Sequence, residues 1–206
     1  MNVWAVVLAA GESRRFGRDK LTEAVGTTFL SHPVLSAVAR ARESGDLQDG
    51  VVVVRDRGSR IAESAAALQL RVEVNRDAAR GMGTSLRAGL ACVDRTDPTS
   101  EGVLVFLADQ PLVTLEVIRS VLSAASASNA EVVRPQYAVT PEVPGHPVFL
   151  RRNSWSFASE LTGDRGFQDL IRSSSVVSQT IRLSGSNPDI DTPEDLEALK
   201  GLLPDA

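Results

Sequence analysis

Short apolar runs alternate with amphipathic segments along the first 125 residues of the chain. Four of these runs predict β-strands, at 3–8, 51–54, 71–74 and 103–107. The runs at 3–8 and 103–107 are apolar at every position, which is typical of parallel strands covered on both faces. The pattern therefore indicates a buried, mostly parallel sheet.

Segments with helical character lie between these strands. Apolar residues recur at helical spacing within 32–43, 84–93 and 114–125, and the segment 61–68 is rich in alanine. Thr114 is a suitable N-cap for the segment that it begins. Alternation of strands and helices predicts an α/β fold with a doubly wound, mostly parallel, Rossmann-like sheet.

The pattern is less regular after Ala130. Three further strands are expected at 132–134, 147–150 and 176–181, separated by loops rich in glycine and serine. One or two helical turns are expected at 167–171. The second part of the chain is therefore expected to be more irregular than the first.

A well-marked helix completes the pattern. Thr192 is its expected N-cap, Pro193 suits its first position, and Glu194 and Asp195 favour the positive N-terminal end of a helix. No internal repeat or linker interrupts the sequence, so a single domain covering 1–206 is expected.

Composition narrows the class of protein. Of the 206 residues, 43% are hydrophobic, 23% are charged and 4% are aromatic, so the core is expected to be aliphatic. A net charge of −4 argues against general nucleic-acid binding, although a local basic cluster or a Mg²⁺ ion can still hold an anionic ligand. The single cysteine, Cys92, cannot make an intramolecular disulfide or a structural zinc site.

No membrane or targeting segment is expected. No apolar run approaches the roughly 18 residues of a membrane helix. The N-terminal apolar run has no basic region before it and leads straight into a glycine loop, unlike a signal peptide. The expected location is the cytoplasm, without contact with a membrane.

A loop rich in glycine and arginine follows the first strand, and it reads LAAGESRRFGRDK from Leu8 to Lys20. The small residues Ala9, Ala10 and Gly11 let the backbone approach a ligand, and backbone N–H groups there can meet phosphate oxygens. Arg15 and Lys20 would supply positive charge. The loop matches neither GxxxxGK[ST] nor GxGxxG. A solvated surface turn is the alternative interpretation.

Two carboxylate positions are candidates for a metal site. Asp109 directly follows an apolar strand, where a carboxylate can hold Mg²⁺, although it could instead cap the next turn. Asp189 and Asp191 precede the final helix, and one of the two is expected to face the site. Asp191, nearer the helix start, is the expected ligand.

Two further loops carry candidate binding residues. Asn75 precedes the segment 81–87, whose Gly83 and Ser85 lie at a helix start suited to an anion or a base edge. A simple strand–loop–helix joint is the alternative. In the irregular part, His146 and Asp164 lie in glycine-containing loops and are candidates for substrate contact, whereas a structural role for His146 is the alternative.

Five segments, in this order, resemble the signature blocks of the molybdopterin-dinucleotide nucleotidyltransferases: 8–20, 81–90, 109–112, 145–147 and 189–196. The resemblance implies a nucleotidyltransferase fold, with a nucleotide-binding half at 1–125 and an acceptor-binding half with the C-terminal helix at 126–206. It implies Mg²⁺ on Asp109 and Asp191, and pyrophosphate held by Arg15 and Lys20.

The resemblance also assigns the substrate contacts. It implies that the loop from Leu8 to Gly11, with Asn75, Gly83 and Ser85, binds the nucleotide, and that the acceptor is bound by His146 and Asp164. It further implies transient contact with a molybdoenzyme or its chaperone, whereas the expected absence of a nucleic-acid partner rests on the net charge.

Ala10 and the Gly-His-Pro block resemble the cytidylyltransferase branch of this family, because the guanylyltransferase branch usually has a second glycine at the position of Ala10. That branch makes the cytosine dinucleotide from CTP and molybdopterin, with release of pyrophosphate.

The sequence departs from the family pattern at two places. Ala108 stands where the family usually has glycine, and Phe167 and Gln168 stand where it usually has a small residue and arginine, which leaves the molybdopterin end open.

Alternative functions remain at this stage. The acceptor could be the phosphate of a sugar, a polyol or a phospholactate, and the donor could be GTP. A NAD-dependent oxidoreductase on a similar sheet is a second class, weakened by the missing GxGxxG motif. A nucleotide-binding regulator without catalysis is a third class, and Lys20, Asp109 and Asp191 argue against it.

Overall fold

A computed structural model of the chain describes residues 1–11, 13, 16–17, 19–143, 145–159 and 176–200. Its centre is a seven-stranded sheet with the strand order β5-β4-β1-β6-β8-β7-β9. The strands are β1 (Val3–Leu8), β4 (Gly50–Val54), β5 (Arg71–Val74), β6 (Gly102–Leu107), β7 (Val132–Tyr137), β8 (Val148–Arg151) and β9 (Ser178–Leu183). A separate two-stranded hairpin contains β2 (Ala24–Val25) and β3 (Thr28–Phe29).

The sheet is mostly parallel, as the apolar runs predicted. β1 lies between β4 and β6 and is parallel to both, with Val6 opposite Val51 on one side and Val105 on the other. β8 is antiparallel to β6 and to β7, whereas β9 is parallel to β7. The carboxyl ends of all strands except β8 therefore lie at one edge of the described sheet, called the carboxyl edge below.

Helices cover both faces of the sheet. They are α1 (His32–Glu43), α2 (Arg60–Ala67), α3 (Met82–Thr96), α4 (Leu115–Ala127) and α5 (Pro193–Lys200). Buried side chains of α1, α2 and α4 pack on one face, and those of α3 pack on the other. The two buried faces explain why β1 and β6 are apolar at consecutive positions.

The strand order reverses between β1 and β6. After β1 the chain passes through α1 to β4 and then to β5, on one side of β1. It later returns to place β6 on the other side of β1. Ligands of open α/β sheets bind where the strand order reverses in this way, at the carboxyl ends of the two strands.

Most of the predicted elements are present within one or two residues of their expected bounds. α1 and β5 have the predicted bounds, and Thr114 caps α4 by accepting a hydrogen bond from the backbone N–H of Val117. The β2–β3 hairpin was not predicted, because two-residue strands are too short to give a periodic pattern. The turns predicted at 167–171 lie outside the described residues.

No helix in the described part of the chain has both the length and the apolar character needed to cross a bilayer.

Candidate active site

Lys20 is held in position at the end of the glycine- and arginine-rich loop. It begins a short 3-10 turn, Lys20–Thr22, in which the Asp19 carboxylate accepts a hydrogen bond from the backbone N–H of Leu21. The Ser13 hydroxyl oxygen accepts a bond of 3.2 Å from the backbone N–H of Lys20. Both contacts stabilise the turn and fix the point from which the Lys20 side chain extends.

The Lys20 ammonium bridges two carboxylates from distant parts of the chain. Its Nζ atom lies 2.8 Å from Asp109 Oδ2 and 2.7 Å from Asp191 Oδ1. Lys20 is 9% exposed, and a charge so buried needs such partners. Burial lowers the pKa of Lys20, but the two carboxylates outweigh burial, and the pKa lies above its ordinary value. The ammonium is therefore charged at neutral pH.

Backbone and side-chain hydrogen bonds join the two carboxylate segments. The backbone N–H of Ile190 donates to the carbonyl oxygen of Asp109 at 3.1 Å. The Gln110 amide donates to Asp189 Oδ1 at 2.8 Å. The segment that follows β6 and the segment that precedes α5 thus form one unit, which carries the carboxylates of Asp109 and Asp191.

The structure brings the carboxylate of Asp191, the expected member of the late pair, onto Lys20. Burial and the nearby Asp109 carboxylate raise the pKa of Asp189 above its ordinary value, so Asp189 also lies beside the cluster. The intervening Ile190 is buried in an apolar cluster. Residues i and i+2 point to the same side wherever a segment is extended, so the spacing alone does not separate the two aspartates.

A reciprocal cap fixes the start of α5. The backbone N–H groups of Asp191 and Thr192 donate to Asp195 Oδ2 at 3.0 and 2.8 Å. The backbone N–H of Asp195 donates to the Thr192 hydroxyl oxygen at 3.2 Å. This is a capping box in which Thr192 is the N-cap and aspartate stands at position N3 of the helix. It confirms the prediction that Thr192 is the N-cap. It also holds the backbone of Asp191 next to Lys20.

An apolar cluster contains side chains from the loop and from the segment that carries Asp191. Phe16 of the loop, Val25 and Leu30 of the hairpin region, and Ile190 are buried against one another with Leu196 and Leu199 of α5. This packing attaches the loop to the hairpin and to the last described helix. The hairpin, which has no predicted role, is therefore part of the support of the site.

The start of the loop is open to a ligand. Ala9 and Ala10 are buried, whereas Gly11 is exposed. A Cβ atom built on Gly11 would meet no atom of the described residues within 4 Å. Nothing described around Gly11 therefore demands a glycine, in contrast to Gly17, whose φ of +75° favours one. Arg15, expected to hold phosphate, lies outside the described residues.

Asn75 joins the end of β5 to the start of α3. Its amide nitrogen donates to the Thr84 hydroxyl at 2.8 Å and to the Ser85 hydroxyl at 3.0 Å, and its Oδ1 accepts from the backbone N–H of Asp77 at 3.0 Å. Asn75 and Ser85 are buried, and so is Gly83 in the first turn of α3. Both amide hydrogens of Asn75 thus serve the joint between strand and helix.

His146 contacts Tyr137 and Asn187 through its backbone. Its carbonyl oxygen accepts a hydrogen bond of 2.7 Å from the Tyr137 hydroxyl and one of 3.4 Å from the Asn187 amide. Burial lowers the pKa of the His146 imidazole to about 4, and the positive charge of Arg134 acts in the same direction. The imidazole is therefore neutral at neutral pH. Asp164, the other expected acceptor contact, lies outside the described residues.

Sequence reasoning missed two buried amides, Gln110 and Asn187. Asn187 Oδ1 accepts from the backbone N–H of Leu112 at 2.9 Å, and its amide nitrogen lies 3.4 Å from Gln110 Oε1. Together they tie the Asp109 segment to the chain before Asp189. Their positions beside the aspartates were the available signal, but the sequence does not reveal which partners they bind.

The two carboxylates that bind Lys20 fit a divalent cation. Oxygens of Asp109 and Asp191 converge on one point, the Lys20 Nζ atom, so they can share one cation. In the described part of the chain, no group of three or more histidine, cysteine or acidic residues could hold a metal ion. A cation on Asp109 and Asp191 would therefore complete its ligands with substrate phosphates and water, as Mg²⁺ commonly does.

The fold and the charged cluster at the carboxyl edge define an enzyme of the nucleotidyltransferase class. The family model of the MobA-like NTP transferase domain matches residues 5–179, and the chain belongs to this family.

Three relatives differ in their described roles. The chain is 28% identical over 211 residues to the purine catabolism protein PucB of Bacillus subtilis, covering 95% of this chain and 94% of PucB. It is 33% identical over 132 residues to the probable molybdenum cofactor guanylyltransferase of Mycobacterium ulcerans, covering 63% and 60%. It is 25% identical over 202 residues to the nicotine blue oxidoreductase of Paenarthrobacter nicotinovorans, covering 96% of each.

Two solved structures resemble the fold of this chain over almost its full length. Rv0371c of Mycobacterium tuberculosis H37Rv superposes with a TM-score of 0.82 at 28% identity, covering 98% of each chain. A second structure of Rv0371c, in complex with manganese, gives a TM-score of 0.79 at 26% identity, covering 98% of this chain and 100% of that one.

Proposed function

We propose that the chain transfers CMP from CTP to the phosphate of molybdopterin and releases pyrophosphate, using a divalent cation. The observation that carries this proposal is the convergence of Lys20, Asp109 and Asp191 on one point, with Lys20 supplied by the loop that follows β1 and Asp109 by the segment that follows β6. Membership of the MobA-like family supports nucleotidyl transfer. The relative described as a probable molybdenum cofactor guanylyltransferase supports the acceptor.

In the proposed reaction, an oxygen of the acceptor phosphate attacks the α-phosphorus of the nucleotide. The bond from that phosphorus to the bridging oxygen breaks, and pyrophosphate leaves with the bond electrons. Lys20 and the backbone N–H groups near Gly11 stabilise the negative charge of the phosphates, and positioning supplies most of the catalysis. A divalent cation held by Asp109 and Asp191 would neutralise charge that develops on the reacting phosphate.

Magnesium is the proposed physiological cation. Carboxylate, phosphate and water oxygens are the ligands that Mg²⁺ prefers, and Asp109 and Asp191 supply carboxylates that can share one ion. Manganese accepts the same ligands, and the manganese complex of Rv0371c supports a divalent site in this fold. Mn²⁺ is therefore expected to replace Mg²⁺ in the assay.

The choice of CTP rests on the loop. Ala10 is buried, and its methyl group occupies a position where the guanylyltransferase branch usually has glycine. GTP is the competing donor, because relatives of the chain are described as guanylyltransferases. The base of the donor is therefore the first variable to test.

The decisive measurement is pyrophosphate release with each of CTP, GTP, ATP and UTP, together with molybdopterin and Mg²⁺. CTP is expected to give the fastest release, and reactions without acceptor are the control. Faster release with GTP would replace the donor and leave the reaction class intact. Parallel reactions with sugar, polyol and lactate phosphates test the acceptor. Absence of release with every donor and acceptor would contradict the proposal and favour a binding protein without catalysis.

An oxidoreductase is the second candidate, because the relative from Paenarthrobacter nicotinovorans is described as one and is aligned over almost its full length. The sequence lacks the GxGxxG dinucleotide motif. Thermal unfolding separates the two classes, since a bound ligand stabilises the folded state. CTP with Mg²⁺ is expected to raise the melting temperature and NADH is not; the opposite result favours the oxidoreductase.

A further inference from the structure

Lys20 and a divalent cation need the same carboxylate oxygens. The Lys20 ammonium contacts Asp109 Oδ2 at 2.8 Å and Asp191 Oδ1 at 2.7 Å, so it lies at the point where these oxygens converge. Two cations cannot both occupy that point. An ion bound to these two oxygens would have to displace the ammonium.

The carboxylates need a positive charge at this point. Asp109 and Asp191 both contact the ammonium, so two negative charges converge on one point, and both also act on the nearby Asp189. Like charges this close repel one another strongly in a partly buried site. Lys20 relieves this repulsion, and its departure becomes favourable when another cation takes its place.

The type of side chain at position 20 suits displacement. Lysine and arginine together number 22 in the sequence. Lys20 and Lys200 are the lysines, and the others are arginines. An ammonium on a flexible four-carbon stem is a mobile point charge, whereas arginine prefers a fixed, two-pronged contact with a carboxylate. A lysine can therefore leave the carboxylates and bind a phosphate without a change in the backbone.

We propose that Lys20 competes with the divalent cation for Asp109 and Asp191, and that phosphates of the nucleotide draw Lys20 away and admit the metal. This inference rests on the proposed nucleotidyl transfer and adds an order to it. The metal binds weakly before the nucleotide and tightly with it. By linkage, metal and nucleotide then raise each other's affinity by the same factor.

The test is a titration of the protein with Mn²⁺ in the absence of nucleotide. The electron paramagnetic resonance signal of free Mn²⁺ measures how much of the ion is bound. Lys20→Met is expected to bind Mn²⁺ about 10-fold or more tightly than the wild type, because the competing cation is removed. Lys200→Met is the matched control, since Lys200 is ion-paired with Glu197 on α5, and it should bind like the wild type. Adding Asp109→Asn to Lys20→Met should abolish the gain. Equal or weaker binding by Lys20→Met would overturn the proposal.

A second measurement keeps the proposal testable if Lys20→Met fails to fold. In wild-type protein with ¹³C-labelled lysine, two side-chain Cε signals are expected, one for each lysine. Millimolar Mg²⁺ should shift the Lys20 signal, as its ammonium leaves the carboxylates, and leave the Lys200 signal in place. A Lys20 signal that stays unchanged while Mg²⁺ binds at Asp109 would contradict displacement.

Failure of this inference is distinguishable from failure of the proposed function. The Mn²⁺ titration contains no nucleotide and measures the competition alone. Wild-type protein that releases pyrophosphate, together with unchanged Mn²⁺ affinity in Lys20→Met, would overturn the competition and keep the reaction. Tighter Mn²⁺ binding without any pyrophosphate release would support the competition and overturn the reaction.

Discussion

Asp109 contributes to the site through its side chain, its backbone and its place in the sheet. Its side chain pairs with Lys20, its carbonyl oxygen accepts the Ile190 N–H, and its position follows the central strand β6. Asp109→Asn keeps the backbone contact but removes the charge. Pyrophosphate release is expected to fall on the order of 10²–10³-fold, the usual effect of losing one electrostatic contact in an active site. Circular dichroism should show that the variant remains folded.

Asp46→Asn is the matched control for this prediction. The Asp46 side chain is 22% exposed, as is that of Asp109, and it pairs with Arg119 at 2.9 Å. It lies between α1 and β4, at the opposite edge of the sheet. Asp46→Asn should therefore retain activity. Full activity of Asp109→Asn would remove Asp109 from the metal site.

Single residues could be predicted where the sequence marks a strand end. Asp109 directly follows an apolar run, and Lys20 ends a loop that begins at another such run. Their contact could not be predicted, because the apolar pattern does not give the strand order. Asn187 and Gln110 were missed for a related reason, since they are 77 positions apart and their bond depends on tertiary structure.

Two glycines differ in their surroundings, since Gly89 is packed between a helix and a strand whereas Gly11 is exposed in a loop. Gly89 on α3 faces β1, where a Cβ atom would overlap Val6 Cγ1. Gly89→Ala should therefore lower the free energy of unfolding by about 1–3 kcal/mol, as overpacking does. Gly11→Ala has no described atom to meet within 4 Å and should keep its stability. It should raise KM for the nucleotide if the ligand approaches there.

Urea unfolding and steady-state kinetics of both variants check this contrast. The expected pattern is a loss of stability in Gly89→Ala and a loss of nucleotide affinity in Gly11→Ala. An unchanged KM in Gly11→Ala would place the nucleotide elsewhere along the carboxyl edge. Unchanged stability in Gly89→Ala would mean that α3 can move away from β1 at little cost.

Long elements were predictable and the shortest were not. β1 is long enough to give an unbroken apolar run, and α1 is long enough to show the 3.6-residue period of a helix. The β2–β3 hairpin has two residues in each strand, and its signal was Gly26, whose φ is +58°. A glycine at such a turn indicates a hairpin only when the flanking strands are recognised.

The free energy of unfolding of the whole molecule depends on pH, and the buried imidazole of His146 contributes to this dependence. The pKa of His146 is about 4 in the fold, against an ordinary value of 6.5. Between these values the unfolded chain binds more protons, so stability falls as the pH falls. Between neutral pH and about pH 4, His146 should account for a loss of about 3 kcal/mol.

His146→Gln tests this contribution. Urea unfolding of the wild type and the variant at neutral pH and near pH 4 gives the two free-energy differences. The variant should lose less stability on acidification, by about 3 kcal/mol, because glutamine does not titrate. Equal losses in both proteins would show that His146 is not buried in its neutral form.

The site is assembled from both ends of the described sequence. Lys20 and Asp191 are separated by 171 positions, and Asp109 lies between them. During synthesis, Lys20 and Asp109 leave the ribosome long before Asp191, whose position depends on the cap of α5. A nascent chain therefore cannot hold Lys20 in its bridged position until translation has passed Asp195. A chain that stops before Asp191 would therefore lack one of the two carboxylates that hold Lys20 in place.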